Sequence, residues 1–468
     1  AIAAGCIDAN HACGSPVGTK AWQETNVNTL TDLDQYDPIS GFPVYKSLLC
    51  EVSRVHDTDR LEITRESLSA EEISPDARPA HNAADPIYLD NNATTPMSKA
   101  VRTAVTRALE ICGNPSSIHG AGIDAKKHLD AARRQVAGAL GCTVRRIVFT
   151  GGGTEAANLA VKGVLESTTP GRDHVITSCV EHPAVLNTCR WLEQKGYRVT
   201  YLPVDPAGRV RTADLEAALS GKTALVSIMT ANNETGTIQP IAEISDLVHG
   251  TGALFHTDAV QAFGKIPLRA DSLGADLISL SAHKIYGPTG VGALYVARGL
   301  EMAAIIHGGG QENGLRSGTE NLPGIIGFGQ AAVEAAENLA ETQRVQEMRD
   351  RLEAGIQGIV PDCCVNGHRQ RRLPNTANVT LPGYRGESVV LEMARHGVYL
   401  SSGSACHSGS SAPSHALTAM GLSEADAHCT LRFSLSTFTT ESEIDRTLEL
   451  LDQTLHLSKN IVHFAPCR

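Results

Sequence analysis

From residue 125 onward, apolar and polar positions trade places in a rhythm that predicts helix and strand by turns. Ala125, Leu129, Ala132, Val136 and Leu140 recur at the three- and four-residue spacing of one buried helix face. The unbroken apolar run Ile147 to Phe149 that follows predicts a buried strand. Further strand-like runs stand at His174 to Thr177, Arg198 to Pro203, Ala224 to Met229, Ala253 to His256 and Asp276 to Leu280. Helical stretches such as Ala184 to Gln194 and Ile241 to Val248 separate them. Such alternation predicts an α/β fold, a mostly parallel sheet with helices on both faces. Ligands of these sheets bind outside the carboxyl ends of the strands. The residues just past the runs are therefore the candidate site: Gly151 to Thr154, His182, Asn233, Asp258, His283 and Lys284.

After about Arg349 the rhythm changes. Asn378 to Leu381 reads as a strand, Ser388 to Arg395 as a helix and Thr439 to Leu455 as a final amphipathic helix, which predicts a smaller α+β domain. At the other end, His56 to Asp85 holds eight acidic residues against three arginines, with Pro75 and Pro79 and little apolar periodicity. That composition predicts a solvated linker. The expected organisation is an extension over 1–55, with a strand-like run at Tyr45 to Val52, and an acidic linker over 56–86. A large domain follows over 101–345, with a small domain built from 87–100 and 346–468.

Composition narrows the function classes. The net charge of −11 argues against a nucleic-acid partner, which needs clustered Lys and Arg facing phosphates. Apolar runs such as Thr223 to Met229 fall short of the roughly 20 residues that cross a bilayer, and no charged-then-apolar leader opens the chain, so a cytoplasmic protein with no membrane partner is expected. The first residue, Ala1, is not a start methionine. The 12 cysteines lack CxxC spacing, so neither a disulfide scaffold nor a metal site is expected.

Several residues carry candidate chemistry. Gly151-Gly152-Gly153-Thr154-Glu155 lies between a strand and an Ala/Leu-rich helix, where backbone N–H groups and the positive helix end suit a phosphate, although Gly-rich turns are common. The stretch lacks the Gly-Lys-Ser/Thr ending of a P-loop. Lys284 follows a strand, with Ser281 and His283 before it and Tyr286-Gly287-Pro288 after it. An arbitrary lysine is a surface lysine, whereas one shielded from water becomes a neutral nucleophile. Asp258 ends a strand 26 residues earlier and either caps the following helix or faces a cation, such as a protonated pyridine nitrogen. His182 suits ring stacking or acid–base work, and Asn233 and Gln261 are amides that either bind a ligand or close turns.

The chain resembles the NifS/IscS-type cysteine desulfurases, class V aminotransferases of pyridoxal-phosphate fold type I, from about Tyr88 to His456. The resemblance is carried by Tyr88 to Pro96, Gly113 to Ser117, Thr150 to Asn158, Glu181-His182, Asn232 to Gly236, Asp258 to Gln261 and Ser281 to Pro288. It continues through Gly308 to Gln311, Arg316 to Thr319, Ser401 to Cys406 and Leu431 to Leu435. It implies a large domain with a mostly parallel seven-stranded sheet, a homodimer, and pyridoxal 5′-phosphate as cofactor. By the same resemblance Lys284 anchors the cofactor covalently, Asp258 pairs with its ring nitrogen and His182 stacks on its ring. Gly153, Thr154, Glu155, Ser281 and His283 bind its phosphate region, with Thr319 reaching in from the other subunit, and Gln261 contacts its phenolic oxygen. Asn233 and Arg432 hold the substrate carboxylate, a task that suits an arginine's two-pronged fork.

Cys406 sets this pattern apart from that of an ordinary aminotransferase. It lies in a Gly/Ser-rich stretch, Ser401 to Ser414, too polar for the usual buried cysteine and suited to a mobile thiolate. The implied reaction converts L-cysteine to L-alanine, leaving sulfur on Cys406 as a persulfide for an acceptor such as an iron–sulfur scaffold. Cys406-His407-Ser408 also resembles selenocysteine lyases, which makes selenium release from selenocysteine the alternative. In the extension, Asn26 to Thr31 and Asp37 to Lys46 resemble the closing strands of the C-terminal domain of molybdopterin oxidoreductases.

Overall fold

The computed structural model describes residues 86–403 and 412–461. The extension, the acidic linker up to residue 85, and Cys406 lie outside the described residues.

Strand β1 (Ile87–Tyr88) and helices α1 (Lys99–Ala108) and α2 (Gly120–Leu140) precede β2 (Ile147–Thr150). Then come α3 (Gly153–Ser167), β3 (His174–Ser178), α4 (Pro183–Gln194), β4 (Arg198–Leu202), α5 (Thr212–Ala218) and β5 (Thr223–Ser227). The large sheet is completed through α6 (Ile241–His249), β6 (Leu254–Asp258), α7 (Ala270–Leu273), β7 (Leu277–Ser281) and β8 (Gly292–Val296). Its seven strands run in the order β2-β8-β7-β6-β5-β3-β4. All neighbours from β7 through β4 are parallel, and β8 runs antiparallel to both β7 and β2. This is the mostly parallel seven-stranded sheet expected from the sequence.

Period-two alternation sends successive strand residues to opposite faces. Ile147, Phe149, Ile176, Val226, Phe255 and Ile278 pack with α2 and α6 on one face. Val148, Val175, Leu225, Leu277 and Leu294 pack with α3 and α4 on the other. Truncating the fully buried Phe255 to Ala would cost about 3–5 kcal/mol, because the cavity left behind adds to the lost transfer energy.

The rest of the chain runs through α8 (Leu322–Asn338), α9 (Thr342–Ile359), β9 (Cys364–Val365), β10 (Thr376–Thr380), α10 (Gly386–Arg395), β11 (Val398–Tyr399) and β12 (Ser401–Ser402). It ends with α11 (His415–Ala419), α12 (Glu424–His428), β13 (Thr430–Ser434) and α13 (Glu441–Ile461). A second, antiparallel sheet has the order β12-β13-β10-β9. Its apolar side packs with α9, α10 and α13 into a separate core that also takes in Ile87 and Leu89. Strand β1 pairs in parallel with β11, so the segment after it starts in this second core and runs on toward the large sheet.

Candidate active site

The carboxyl ends of β2, β6 and β7 face the start of β12 and the middle of β13 across a cavity of about 400 Å³. That volume is within the range of small-ligand sites. Its floor near β2 is the Gly-rich turn. Gly152 has φ 149° and ψ 179°, a conformation that side chains disfavour. A Cβ on Gly153 would sit 2.7 Å from Val260 Cγ2, so this turn is pressed against the one after Asp258. No side chain caps the start of the 15-residue helix α3. Gly153, Thr154, Ser281 and His283 line the cavity there, a helix N-terminus joined by hydroxyl and imidazole groups that suits a phosphate. Burial, with Lys284, Lys265 and His182 adding to it, lowers the His283 pKa to about 4, and its Nδ1 lies 3.1 Å from Thr94 Oγ1. The Glu155 side chain is committed elsewhere: it accepts from Gly151 N–H at 2.8 Å and from Arg316 Nε at 2.9 Å. Its backbone N–H is what it has left for an anion.

Asp258 is the last residue of β6. One of its oxygens accepts from Val260 N–H at 2.9 Å, and burial raises its pKa to about 6, partly countered by Lys284. Turn capping thus occupies one oxygen of a carboxylate that lines the cavity. His182 caps α4, its Nδ1 accepting from Ala184 N–H at 3.1 Å. That bond places the proton on Nε2, and burial, with Lys284 and His415, lowers the ring's pKa to about 4. A neutral, flat imidazole is the result. Next to it Glu181 is fully buried, and burial raises its pKa to about 8 despite bonds from Ser178 Oγ (2.6 Å) and Met229 N–H (3.0 Å).

β7 ends at Ser281, and Lys284 closes the one-turn 3-10 segment Ala282–Lys284 rather than the strand itself. Its Nζ donates to the backbone carbonyls of Asn92, at 2.6 Å, and Ala93. The turn is braced from behind by Tyr286 at φ 65°, whose N–H donates to Thr95 Oγ1 at 2.7 Å and whose OH accepts from Thr437 N–H at 3.0 Å. From the second sheet, Arg432 on β13 donates to Asp90 Oδ1 at 2.7 Å and to Asn233 O at 3.2 Å. Its Nε is buried with no partner. The Arg432 guanidinium lines the cavity and is the charge available there to a carboxylate. Asn233 and Gln261 also line the cavity.

The cavity thus brings together Gly153, Thr154, His182, Asn233, Asp258, Gln261, Ser281, His283, Lys284 and Arg432. Thr319 is exposed and not part of this lining. Sequence reasoning gave no role to Asp90, Asn92, Ala93 or Ser401, which line the same cavity, or to Lys265 behind Gln261. Asp90, Asn92 and Ala93 stand inside the quoted Tyr88 to Pro96 motif, and Lys265 follows Gln261 at a helical four-residue interval; these were the available signals. Together, the uncapped helix end, the buried carboxylate, the flat neutral imidazole and the strand-end amine fit a phosphorylated pyridine aldehyde. Among the described residues there is no cluster of His, Cys, Asp and Glu that would hold a metal, and no helix long and apolar enough to cross a membrane.

Residues 87–447 match the family model described as aminotransferase class-V. The chain is 47% identical over 380 residues to cysteine desulfurase 2 of Trichormus variabilis, covering 81% of this chain and 95% of that protein. Among solved structures it is similar to a NifS-like protein, at 39% identity and a TM-score of 0.75, covering 80% of this chain and all of the other. It is also similar to SspA in complex with cysteine, at 38% identity and a TM-score of 0.66, covering 76% of this chain and all of the other.

Proposed function

The chain belongs to the class V aminotransferase family and is a pyridoxal-5′-phosphate-dependent cysteine desulfurase, and on that premise we propose how its residues divide the work. The observation that carries the assignment is one cavity holding Lys284, Asp258 and His182 on the large sheet's side and Arg432 on the other. When bound, the cofactor supplies an electron sink for the substrate α-carbon. Asp258 would hold a proton at the ring nitrogen, its carboxylate charged beside it. His182 would stack on the ring. The N-terminus of α3, with Thr154, Ser281 and His283, takes the phosphate. Lys284 anchors the cofactor and moves a proton at the substrate α-carbon. The Arg432 guanidinium, with Asn233, would hold the substrate carboxylate.

Cys406 is the sulfur acceptor in this reading. Its thiolate sulfur bonds to the substrate sulfur, the carbon–sulfur bond breaks, and the former β-carbon takes up a proton to become the methyl group of alanine. Ser401 lines the cavity five residues before Cys406 and pairs with Arg432, so the chain enters the Cys406 segment from the cavity wall. The persulfide then passes to an acceptor such as an iron–sulfur scaffold, in the cytoplasm. The exposed Thr319 serves the cavity of a second copy in a homodimer. The relatives' names favour L-cysteine over the selenocysteine alternative.

The test is Cys406→Ala assayed with both amino acids. The variant should bind the cofactor, lose alanine formation from cysteine and retain some from selenocysteine, whose more acidic selenol leaves without thiolate attack. Mass spectrometry of the wild-type Cys406 peptide should find one added sulfur. Undiminished cysteine turnover by the variant would remove Cys406 from the reaction.

A further inference from the structure

Behind Gln261, away from every role assigned above, lies a lysine whose amine is enclosed by side-chain amides. Lys265 Nζ donates to Gln261 Oε1 at 2.6 Å and to Asn92 Oδ1 at 3.2 Å. Which end of each amide faces the lysine is decided by backbone carbonyls, which only accept. Gln261 Nε2 donates to Asn92 O at 2.9 Å, so its oxygen must face Lys265. Asn92 Nδ2 donates to Asn233 O at 3.1 Å and to Thr376 Oγ1 at 2.9 Å, so its oxygen must face Lys265 as well. Two carbonyl dipoles thus converge on one amine. Asn92 Oδ1 has a second donor in Asn375 Nδ2, at 3.1 Å, so it is the Gln261 amide that depends on Lys265: Asn92 O holds its NH2 end and Lys265 holds its oxygen end.

From this geometry we propose that Lys265 is a positioning residue, which locks the Gln261 amide with its NH2 end toward the cavity so that it donates to the phenolic oxygen of the bound cofactor. The proposal rests on the reading of the cavity as the cofactor site. Gln261 has two N–H bonds; one goes to Asn92 O, and the second is left for a ligand of the cavity it lines. A flipped amide would present its oxygen to an oxygen. Burial, with Lys284 and Arg432 adding to it, pushes Lys265 well below the usual lysine range. The lock survives either protonation state, because a neutral amine still carries two N–H bonds for its two acceptors.

A donor to the ring oxygen favours its deprotonated form, so losing the lock should raise the pH at which the bound cofactor changes colour. The full-length protein loaded with pyridoxal phosphate is titrated by visible absorbance as wild type, Lys265→Met, Lys265→Arg, Gln261→Ala and the Lys265→Met/Gln261→Ala pair. Lys284, Arg432 and His283, the other titratable groups facing this lysine, are kept in every variant. Lys265→Met and Gln261→Ala should each raise the midpoint by about one pH unit, a tenfold change in proton affinity. Lys265→Arg, which keeps a donor, should move it back toward wild type, and the double variant should match Gln261→Ala. An unchanged midpoint in Lys265→Met, or shifts that add in the double variant, would overturn the proposal. Should Lys265→Met not fold, a wild-type midpoint in Gln261→Ala overturns it equally. A wild-type protein that takes up no cofactor would instead sink the underlying reading of the cavity.

Discussion

His256 and Asp258 lie two residues apart on β6, on the same side of the strand and both buried, one in the middle of the sheet and one at its carboxyl edge. In the middle, both ring nitrogens of His256 are engaged at 2.8 Å, Nδ1 by Ser227 Oγ and Nε2 by Ser279 Oγ on the flanking strands. Thr257 and Thr230 likewise pair hydroxyl to hydroxyl at 2.8 Å. At the edge, Asp258 has one turn N–H, Arg432 keeps a buried Nε without a partner, and Glu181 keeps a buried Oε2 without one. The contrast teaches that burial of polar groups does not by itself mark a site: those in the middle of the sheet are saturated by its own strands, whereas the cavity-lining Asp258 has bonding capacity left. A saturated polar group locks neighbouring strands together, whereas an unsaturated one carries a desolvation cost that a ligand relieves.

Substitutions in the two regions should therefore separate function from stability. The largest effect is expected at the edge: Lys284→Ala should reduce alanine formation from cysteine by more than about 10³-fold while the far-ultraviolet circular dichroism stays native. Next, Arg432→Gln should raise KM for cysteine by about 10–100-fold, the equivalent of losing a charge-assisted bond of about 1.5–3 kcal/mol, with a smaller change in kcat. In the middle of the sheet the pattern should invert. His256→Leu leaves the Ser227 and Ser279 hydroxyls unpaired and should cost about 1–3 kcal/mol in urea unfolding, with kcat/KM of the folded fraction unchanged. A collapse of kcat/KM in that variant as deep as in the edge variants would erase the distinction.

The last effect concerns pH and is smallest per unit of change. Burial raises Glu181 to about 8, so between about pH 4.5 and 8 the folded state keeps a proton that the unfolded state has released, and Glu181 makes stability fall as pH rises through that window. His256, lowered to about 3, acts with the opposite sign: below its unfolded pKa of about 6.5 the unfolded state takes up a proton first, and stability falls as pH drops. Glu181→Gln should accordingly flatten the decline above pH 4.5, by at most about 1.4 kcal/mol per pH unit, and leave the acid-side decline intact. Urea midpoints of the cofactor-free protein at a series of pH values would measure both slopes.

The strands and helices of the large sheet were legible because each writes its own period: Ala125 to Leu140 marks α2, and Ile147 to Phe149 marks β2. The edge residues Asp258 and His283 were legible because a strand end is a local event. Asp90 and Asn92 were not, since what gives them a place is contact with Arg432 and Thr376, 342 and 284 residues away, and no period spans that distance. Lys265 was illegible for a related reason: its sequence neighbourhood shows an ordinary lysine on a turn, and only the folded chain turns two amide oxygens toward it. Glu155 was read by position alone, and its side chain proves to serve Arg316.

The short segment from Ile87 to Thr95 pairs with β11, reaches Ser434 through Asn91 and Asn92, and then delivers two carbonyls to Lys284. On the ribosome, Asn92 emerges 342 residues ahead of Ser434, an interval of roughly 20–70 s at ordinary elongation rates. Over the last part of that interval, once β8 has emerged, the large sheet has all its strands while Arg432 and much of the second core do not yet exist. Such distant pairings are the slow ones to form. The large domain therefore waits as a half-built vessel, and the berth for pyridoxal phosphate has its last wall only once β13 has left the tunnel and taken up the early segment.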